Sequence, residues 1–212
     1  MSSTNELREL LTGYCNNNVN IFDTEIVAIG IVSVKNLLTQ VSEELRCELL
    51  SSITDIYGNT VLTEAARRGH TELCVTLLSS LPPADRLKLI LVNKGTALHA
   101  AAQRYHTETV SGILNCLTAE EQLKLLFTQD NQGNIAFHYA AGWEHTKTVM
   151  TLFVNLTPEQ QLQLVFTQNF CGDTALHRAA RWGRTETVKT LLDNMTPEQQ
   201  LKLLITQNSD GD

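Results

Sequence analysis

The chain has no apolar run approaching the roughly 20 residues that a membrane-spanning helix needs, and it is short of proline, with 4, and of aromatics, at 6%. Its first stretch, Met1 to Asn20, is polar, carries an Asn run at Asn16 to Asn18, and lacks the basic-then-apolar order of a signal peptide. Positive charge is scarce: 16 Lys and Arg against 23 Asp and Glu give a net charge of −7. A surface that tracks phosphates wants the opposite balance, so neither nucleic acid nor a membrane is the expected partner. The five cysteines (Cys15, Cys47, Cys74, Cys116, Cys171) are odd in number and contain no C-x-x-C pair. This argues against a disulfide framework and for a reducing compartment. No Gly-rich phosphate loop, G-x-S-x-G, His-Glu-x-x-His or Asp-rich metal loop occurs.

What the chain does have is self-similarity. Gly58-Asn-Thr-Val-Leu-Thr-Glu-Ala-Ala, Gly95-Thr-Ala-Leu-His-Ala-Ala-Ala, Gly133-Asn-Ile-Ala-Phe-His-Tyr-Ala-Ala and Gly172-Asp-Thr-Ala-Leu-His-Arg-Ala-Ala fall in register, and a further copy begins at Asp210-Gly211-Asp212. The glycines lie 37, 38, 39 and 39 residues apart, and the second copy lacks one residue after its Gly. Past each Ala-Ala, His70-Thr-Glu, His106-Thr-Glu, His145-Thr-Lys and Arg184-Thr-Glu align, followed by an apolar column of Cys74, Val110, Val149 and Val188. This spacing predicts a second helix, with Thr71, Thr107, Thr146 and Thr185 placed as N-caps. A third helix starts at Thr118-Ala-Glu-Glu-Gln, Thr157-Pro-Glu-Gln-Gln and Thr196-Pro-Glu-Gln-Gln, more weakly at Pro82-Pro83. A Thr cap, Pro at the first helical position and Glu or Gln in the first turn make a strong start.

These motifs resemble the ankyrin repeat, whose usual signature is Thr-Pro-Leu-His-x-Ala on a period of about 33 residues. The resemblance runs from about Asp55 to the end of the chain. Ala replaces the usual Pro, and each unit is about six residues longer than the family period, an excess assigned to the third helix. The fold class implied is all-α: an ankyrin-type solenoid with a short third helix per repeat and Gly-containing turns. The expected organisation is a degenerate capping repeat in 1–54, repeats at 55–91, 92–129, 130–168 and 169–207, and the start of another at 208–212. In the capping unit, Asn20 to Gly30 aligns with Asn59 to Gly69, Val34 to Leu38 with Val188 to Leu192, and Ser42 opens a third helix. Because the sequence stops within a new turn, the native protein is expected to continue past Asp212.

His99, His138 and His177 look chemical. They occupy equivalent positions, however, so neighbours should lie roughly 8–10 Å apart, whereas a shared zinc needs every ligand at about 2 Å. They are read as turn-holding histidines. His70, His106 and His145 are read as exposed or as bridges between units, and Cys74 and Cys47 as small core hydrophobes. Cys171, in a turn, is expected to be exposed. The second position after each Ala-Ala carries Arg68, Arg104, Trp143 and Trp182, and so both tryptophans of the chain. By the resemblance this position faces a concave groove and varies between repeats. A core would not interchange Arg with Trp, and both types are enriched in interface hot spots. Tyr57, Tyr105, Tyr139, Phe170, Arg178 and Arg181 join them as candidate partner-binding residues, with Arg67 nearby. Grouped arginines suggest an acidic or mixed partner surface. The alternative for each Trp is local packing on the neighbouring helix. The Glu-Gln-Gln faces are expected to form a solvated outer wall.

The functional expectation is a monomeric, cytoplasmic, cofactor-free module that binds a partner protein and has no catalytic or metal site. The alternative is the targeting arm of a larger enzyme. Long Gln-rich third helices are also similar to those of ankyrin-repeat effectors delivered into host cells by intracellular bacteria, which would place its action in host cytoplasm.

Overall fold

The computed structural model describes residues 3–16, 24–92, 96–193 and 195–212, with the side chains of 24–29 excepted. Among these residues the regular elements are helices in successive triplets. The first triplet is α1 (Ser3–Cys15), α2 (Thr24–Gln40) and α3 (Glu43–Ser52). There follow α4 (Val61–Arg68), α5 (Thr71–Ser79) and α6 (Pro83–Ile90), then α7 (Ala97–Gln103), α8 (Thr107–Asn115) and α9 (Ala119–Leu126). The last two are α10 (Ala136–Gly142), α11 (Thr146–Phe153) and α12 (Pro158–Phe166), and α13 (Ala175–Arg181), α14 (Thr185–Asp193) and α15 (Pro197–Leu204). First helices stack on first helices (α1, α4, α7, α10, α13) and second on second (α2, α5, α8, α11, α14).

The Ala-Ala pairs explain the close first-helix packing. Ala65, Ala66, Ala101, Ala102, Ala140, Ala141 and Ala179 are fully buried, and with no side chain beyond Cβ they let neighbouring helices approach. The second-helix column of Cys74, Val110 and Val149 is fully buried beside them, and burial pushes the Cys74 thiol up to about 12, so it stays a protonated core group. Each unit thus spends its apolar face on its neighbours, and stability is a sum of interfaces.

Two expectations are corrected here. In the first unit the Asn20–Gly30 register does not mark a first helix. Asn20 to Asp23 lie outside the described residues, while Thr24 to Gly30 belong to α2, which runs on without a break. The first-helix place is taken by α1, whose Leu7, Leu11 and Tyr14 are buried and which packs on α4. An apolar stripe at helical spacing outweighs a single Gly, which an unbroken helix tolerates at a cost of about 1 kcal/mol.

Nor are Thr71, Thr107 and Thr146 N-caps. The cap positions belong to His70, His106 and His145, whose side chains make no capping bond, and each Thr is already helical. The hydroxyls reach across units instead: Thr71 to Thr109 and Thr107 to Thr148 at 2.7 Å each, and Thr146 to Thr187 at 3.4 Å. Thr185 is likewise the first residue of α14.

The third helices start as expected. Thr118, Thr157 and Thr196 accept from the backbone N–H three residues on, and Glu121, Gln160 and Gln199 accept from the cap backbone N–H at 2.9, 2.9 and 3.0 Å. The following glutamines are not simply solvated. Gln122, Gln161 and Gln200 each donate to one carbonyl at the end of the preceding second helix (Leu114, Phe153, Leu192) and to one in the connection after it (Leu117, Leu156, Met195). These helix-end carbonyls have no partner within their own helix.

Candidate partner-binding surface

The turns at Gly58, Gly133, Gly172 and Gly211 are each closed by an acidic or amide side chain three residues before the Gly. Asp55, Asp130, Asn169 and Asn208 accept through Oδ1 from backbone N–H groups two and four residues on. The glycines take positive φ, +76° at Gly133 and Gly172. At Gly133 a Cβ would also stand 2.6 Å from the Phe170 backbone nitrogen, so only Gly fits beneath the next turn. Gly95 and its neighbours Asn93 and Lys94 lie outside the described residues.

The histidines hold these turns. Nε2 of His99, His138 and His177 lies 2.9, 2.9 and 3.2 Å from the backbone oxygens of Asn134, Asp173 and Asp212, each in the following turn. A carbonyl only accepts, so Nε2 carries the proton and Nδ1 is the acceptor for the cap residue: Thr96 Oγ1, the Ile135 N–H, and the Thr174 N–H and Oγ1. The three rings therefore do not converge, and each bonds to a different turn. Burial holds His99 below the ordinary histidine range and His138 at about 4, which favours the neutral tautomer this geometry requires. The second histidine set bridges units: His106 Nε2 donates to Arg67 O and His145 Nε2 to Gln103 O, each at 3.1 Å, while His70 pairs with Tyr14 at 2.8 Å. Arg184 does the same job through Gly142 O at 3.1 Å.

On this frame Arg104, Trp143 and Trp182 occupy the C-cap positions of α7, α10 and α13, with φ between −103° and −99°. The residue after Arg68, Arg104, Trp143 and Trp182 is left-handed in each of the four repeats: Gly69, Tyr105, Glu144 and Gly183. This bend turns the C-cap side chain off the helix, and Trp143 and Trp182 stay 52% and 60% exposed, unsealed by the stack. Between them lies a cleft of about 130 Å³ lined by Gly142, Trp143, Arg178, Trp182 and Arg184. A wider recess of about 340 Å³ joins Gln103, Arg104, Trp143 and His145. Tyr105 lies over His145, ring centroids 4.9 Å apart, and stays exposed, as do Arg104 and the turn-tip Tyr57 and Phe170.

The remaining candidates are tied down. Arg67 grips the buried Glu64 through two bonds of 2.7 and 2.6 Å, and Arg68 joins it on the same carboxylate while its guanidinium covers the Tyr14 ring at 4.7 Å. Arg181 makes a fork on Asp173 at 3.0 and 3.2 Å, with Asp210 and Asp212 at 3.8 Å. Tyr139 donates to Asp130 at 2.6 Å, and burial together with that carboxylate pushes its hydroxyl up to about 12. The positive face expected from the sequence is therefore largely neutralised. Free cationic surface narrows to Arg104 and parts of Arg178 and Arg184. The turn side chains could have been suspected, since an Asx recurs three residues before Gly; Asp173, which follows Gly172, meets Arg181 from the far end of α13, eight residues on.

Arg178 differs from the rest. Its Nη1 donates to Asn134 Oδ1 at 3.5 Å and its guanidinium lies 5.5 Å from the Tyr139 ring centre. Its Nε is buried with no hydrogen-bond partner, and a buried donor left unsatisfied costs about 1–3 kcal/mol.

Cys171 is exposed, and among the described residues no group of three or more His, Cys, Asp or Glu could hold a metal. None of the helices among those residues is long and apolar enough to cross a membrane. A recess of about 370 Å³ at the last unit, lined by Leu176, Leu203 and Leu204 among others, corresponds to surface that earlier units cover: Val165 is 2% exposed where Leu204 is 61%.

A family model described as ankyrin repeats (three copies) matches residues 119–203. No curated protein matches the chain in sequence. Among solved structures, the crystal structure of EF0377, an ankyrin repeat protein, is similar in fold with a TM-score of 0.62. The alignment covers 86% of this chain and 81% of that one at 21% identity.

Proposed function

We propose that this chain, an ankyrin-repeat protein, is an adaptor that recognises a partner protein through the face made by its first-helix ends, with Trp143 and Trp182 as anchors. The coarse part follows from the family, whose repeats mediate protein–protein interaction. The observation supporting this particular face is that both tryptophans sit at equivalent C-caps and remain more than half exposed. A packing role would have buried them, as it buries Phe137 at 1%. Arg104, Tyr105 and Phe170 extend the surface, whereas Arg68, Tyr139 and Arg181 support it from below. Large aromatic anchors beside a cation are the composition of interface hot spots.

The test is a pull-down with the native chain and with the Trp143→Ala, Trp182→Ala double variant, each checked by circular dichroism. Partners retained by the first and lost by the second, at unchanged helicity and melting temperature, support the face. A variant that melts several degrees lower while keeping every partner would assign the indoles to packing. Placement in a host cell remains a proposal resting on Gln-rich composition, which the capping and carbonyl-bonding roles of Gln160, Gln161, Gln199 and Gln200 account for independently.

A further inference from the structure

We infer that the Trp143–Trp182 cleft is a carboxylate subsite. It receives an Asp or Glu side chain from an extended segment of the partner protein, with a large apolar neighbour lying on the indoles. This rests on the helix-end face being the recognition surface and specifies what that face selects.

Three observations carry it. The guanidinium of Arg178 has one used corner and one unused edge: Nη1 bonds to Asn134, while Nε and Nη2 have no hydrogen-bond partner among the described residues. That edge borders the cleft floor at Gly142, where a Cβ would stand 3.4 Å from Nε and 3.9 Å from Nη2. Paired Nε and Nη2 donors match the two oxygens of a carboxylate, a planar fit that lysine cannot reproduce. Next, the surrounding charge is cationic. Arg184 lines the same cleft, and the nearby carboxylates are engaged elsewhere, Asp173 by Arg181 and Asp130 by Tyr139. Glu144, beside Trp143, is the exposed acid of this stretch. The third observation is size: about 130 Å³ between two exposed indoles suits one side chain rather than a folded element. Water exclusion by the indoles strengthens a charged hydrogen bond within.

The chain's two tryptophans both line this cleft, and Trp182 lines it without the Arg104 recess, so indole emission reports on the site and its immediate rim. A phage-displayed dodecapeptide library panned on the full chain, followed by titration of the enriched peptides with fluorescence detection, tests the assignment. The enriched peptides are expected to share an acidic position beside a large apolar one and to alter the emission. Replacing that acid by its amide should weaken binding tenfold or more. Arg178→Gln and Arg178→Lys should do the same in the protein, with thermal melts confirming that the variants fold. The amide peptides keep the test decisive if they do not fold.

Peptides that need Trp143 and Trp182 but tolerate the amide would overturn the carboxylate subsite and leave the recognition face standing. Peptides indifferent to all three side chains, or no enrichment at all, would overturn both. A uridine dodecanucleotide that changes the emission as strongly as the best peptide would assign the cleft to bases and overturn it as well.

Discussion

The junction between the units 55–91 and 92–129 is built differently from those that follow. At the later junctions His99 and His138 donate to the carbonyls of turns closed by Asp130 and Asn169. At the first, Thr63 stands where histidine stands later, its hydroxyl turned back to Thr60 at 3.2 Å. The facing turn has Val92 in the Asx place and one residue fewer after its Gly. The sequence thus lacks both the histidine and the Asx of its facing turn at this junction. Since α4 still begins under a Thr60 cap, histidine is not needed to start its own helix. It is needed by the turn of the next unit.

The comparison can be broken hardest at the glycines. Gly133→Ala is expected to destabilise by about 3 kcal/mol or more, because left-handed strain of about 1–2 kcal/mol adds to a clash with the Phe170 backbone. Gly58→Ala, at φ +80° with nothing within 4 Å, should show the strain alone. Urea midpoints decide the matter; equal losses at the two sites would show that turn-on-turn contact contributes nothing.

Next in size is the histidine clamp. His138→Ala leaves the Asp173 carbonyl and the Ile135 N–H unpaired in the core and should cost about 2–3 kcal/mol, against at most about 1 for Thr63→Ala. Burial holds the folded His138 at about 4, below the 6.5 of a free histidine, so the unfolded chain binds more protons between those values. Its stabilising contribution is therefore complete above pH 6.5 and lost as pH falls toward 4, by about 3 kcal/mol at most. Thermal melts across pH 4–7 should be visibly flatter for His138→Gln than for the native chain.

The smallest effect separates inner from outer units at the first bend. Gly69 and Gly183 take the left-handed conformation freely, while Tyr105 and Glu144 hold it at φ 64° and 63°. Glu144→Gly should stabilise by about 0.5–1 kcal/mol if nothing else depends on the side chain. A calorimetric Tm that fails to rise would show that Glu144 makes compensating contacts.

Much of this was legible in the sequence. The Thr-Pro-Glu-Gln-Gln starts are local chemistry, and three capping boxes form where that chemistry puts them. The buried Ala pairs and Cys74 follow from periodicity. The first unit is not legible from repeat register, because its leading helix, α1, has no counterpart motif to align with. The arginines show the sharper limit. Arg68, Arg104 and Arg181 look alike in sequence, yet Glu64, one turn back on the same helix, engages Arg68, and Asp173, just before α13, engages Arg181, whereas Arg104 has no acid at either spacing. What remains exposed is a narrower and less cationic face than composition suggested.

The threonine rungs between second helices have a consequence for how such a molecule can change length. Thr107 reaches Thr148, and Thr146 reaches Thr187, through the same two positions of each second helix. A splice that removed one whole unit would bring Thr107 opposite Thr187, an identical pair. The rungs therefore fix alignment between neighbours while leaving the count of units open, so the scaffold can lengthen or shorten by complete modules without redesigning any joint.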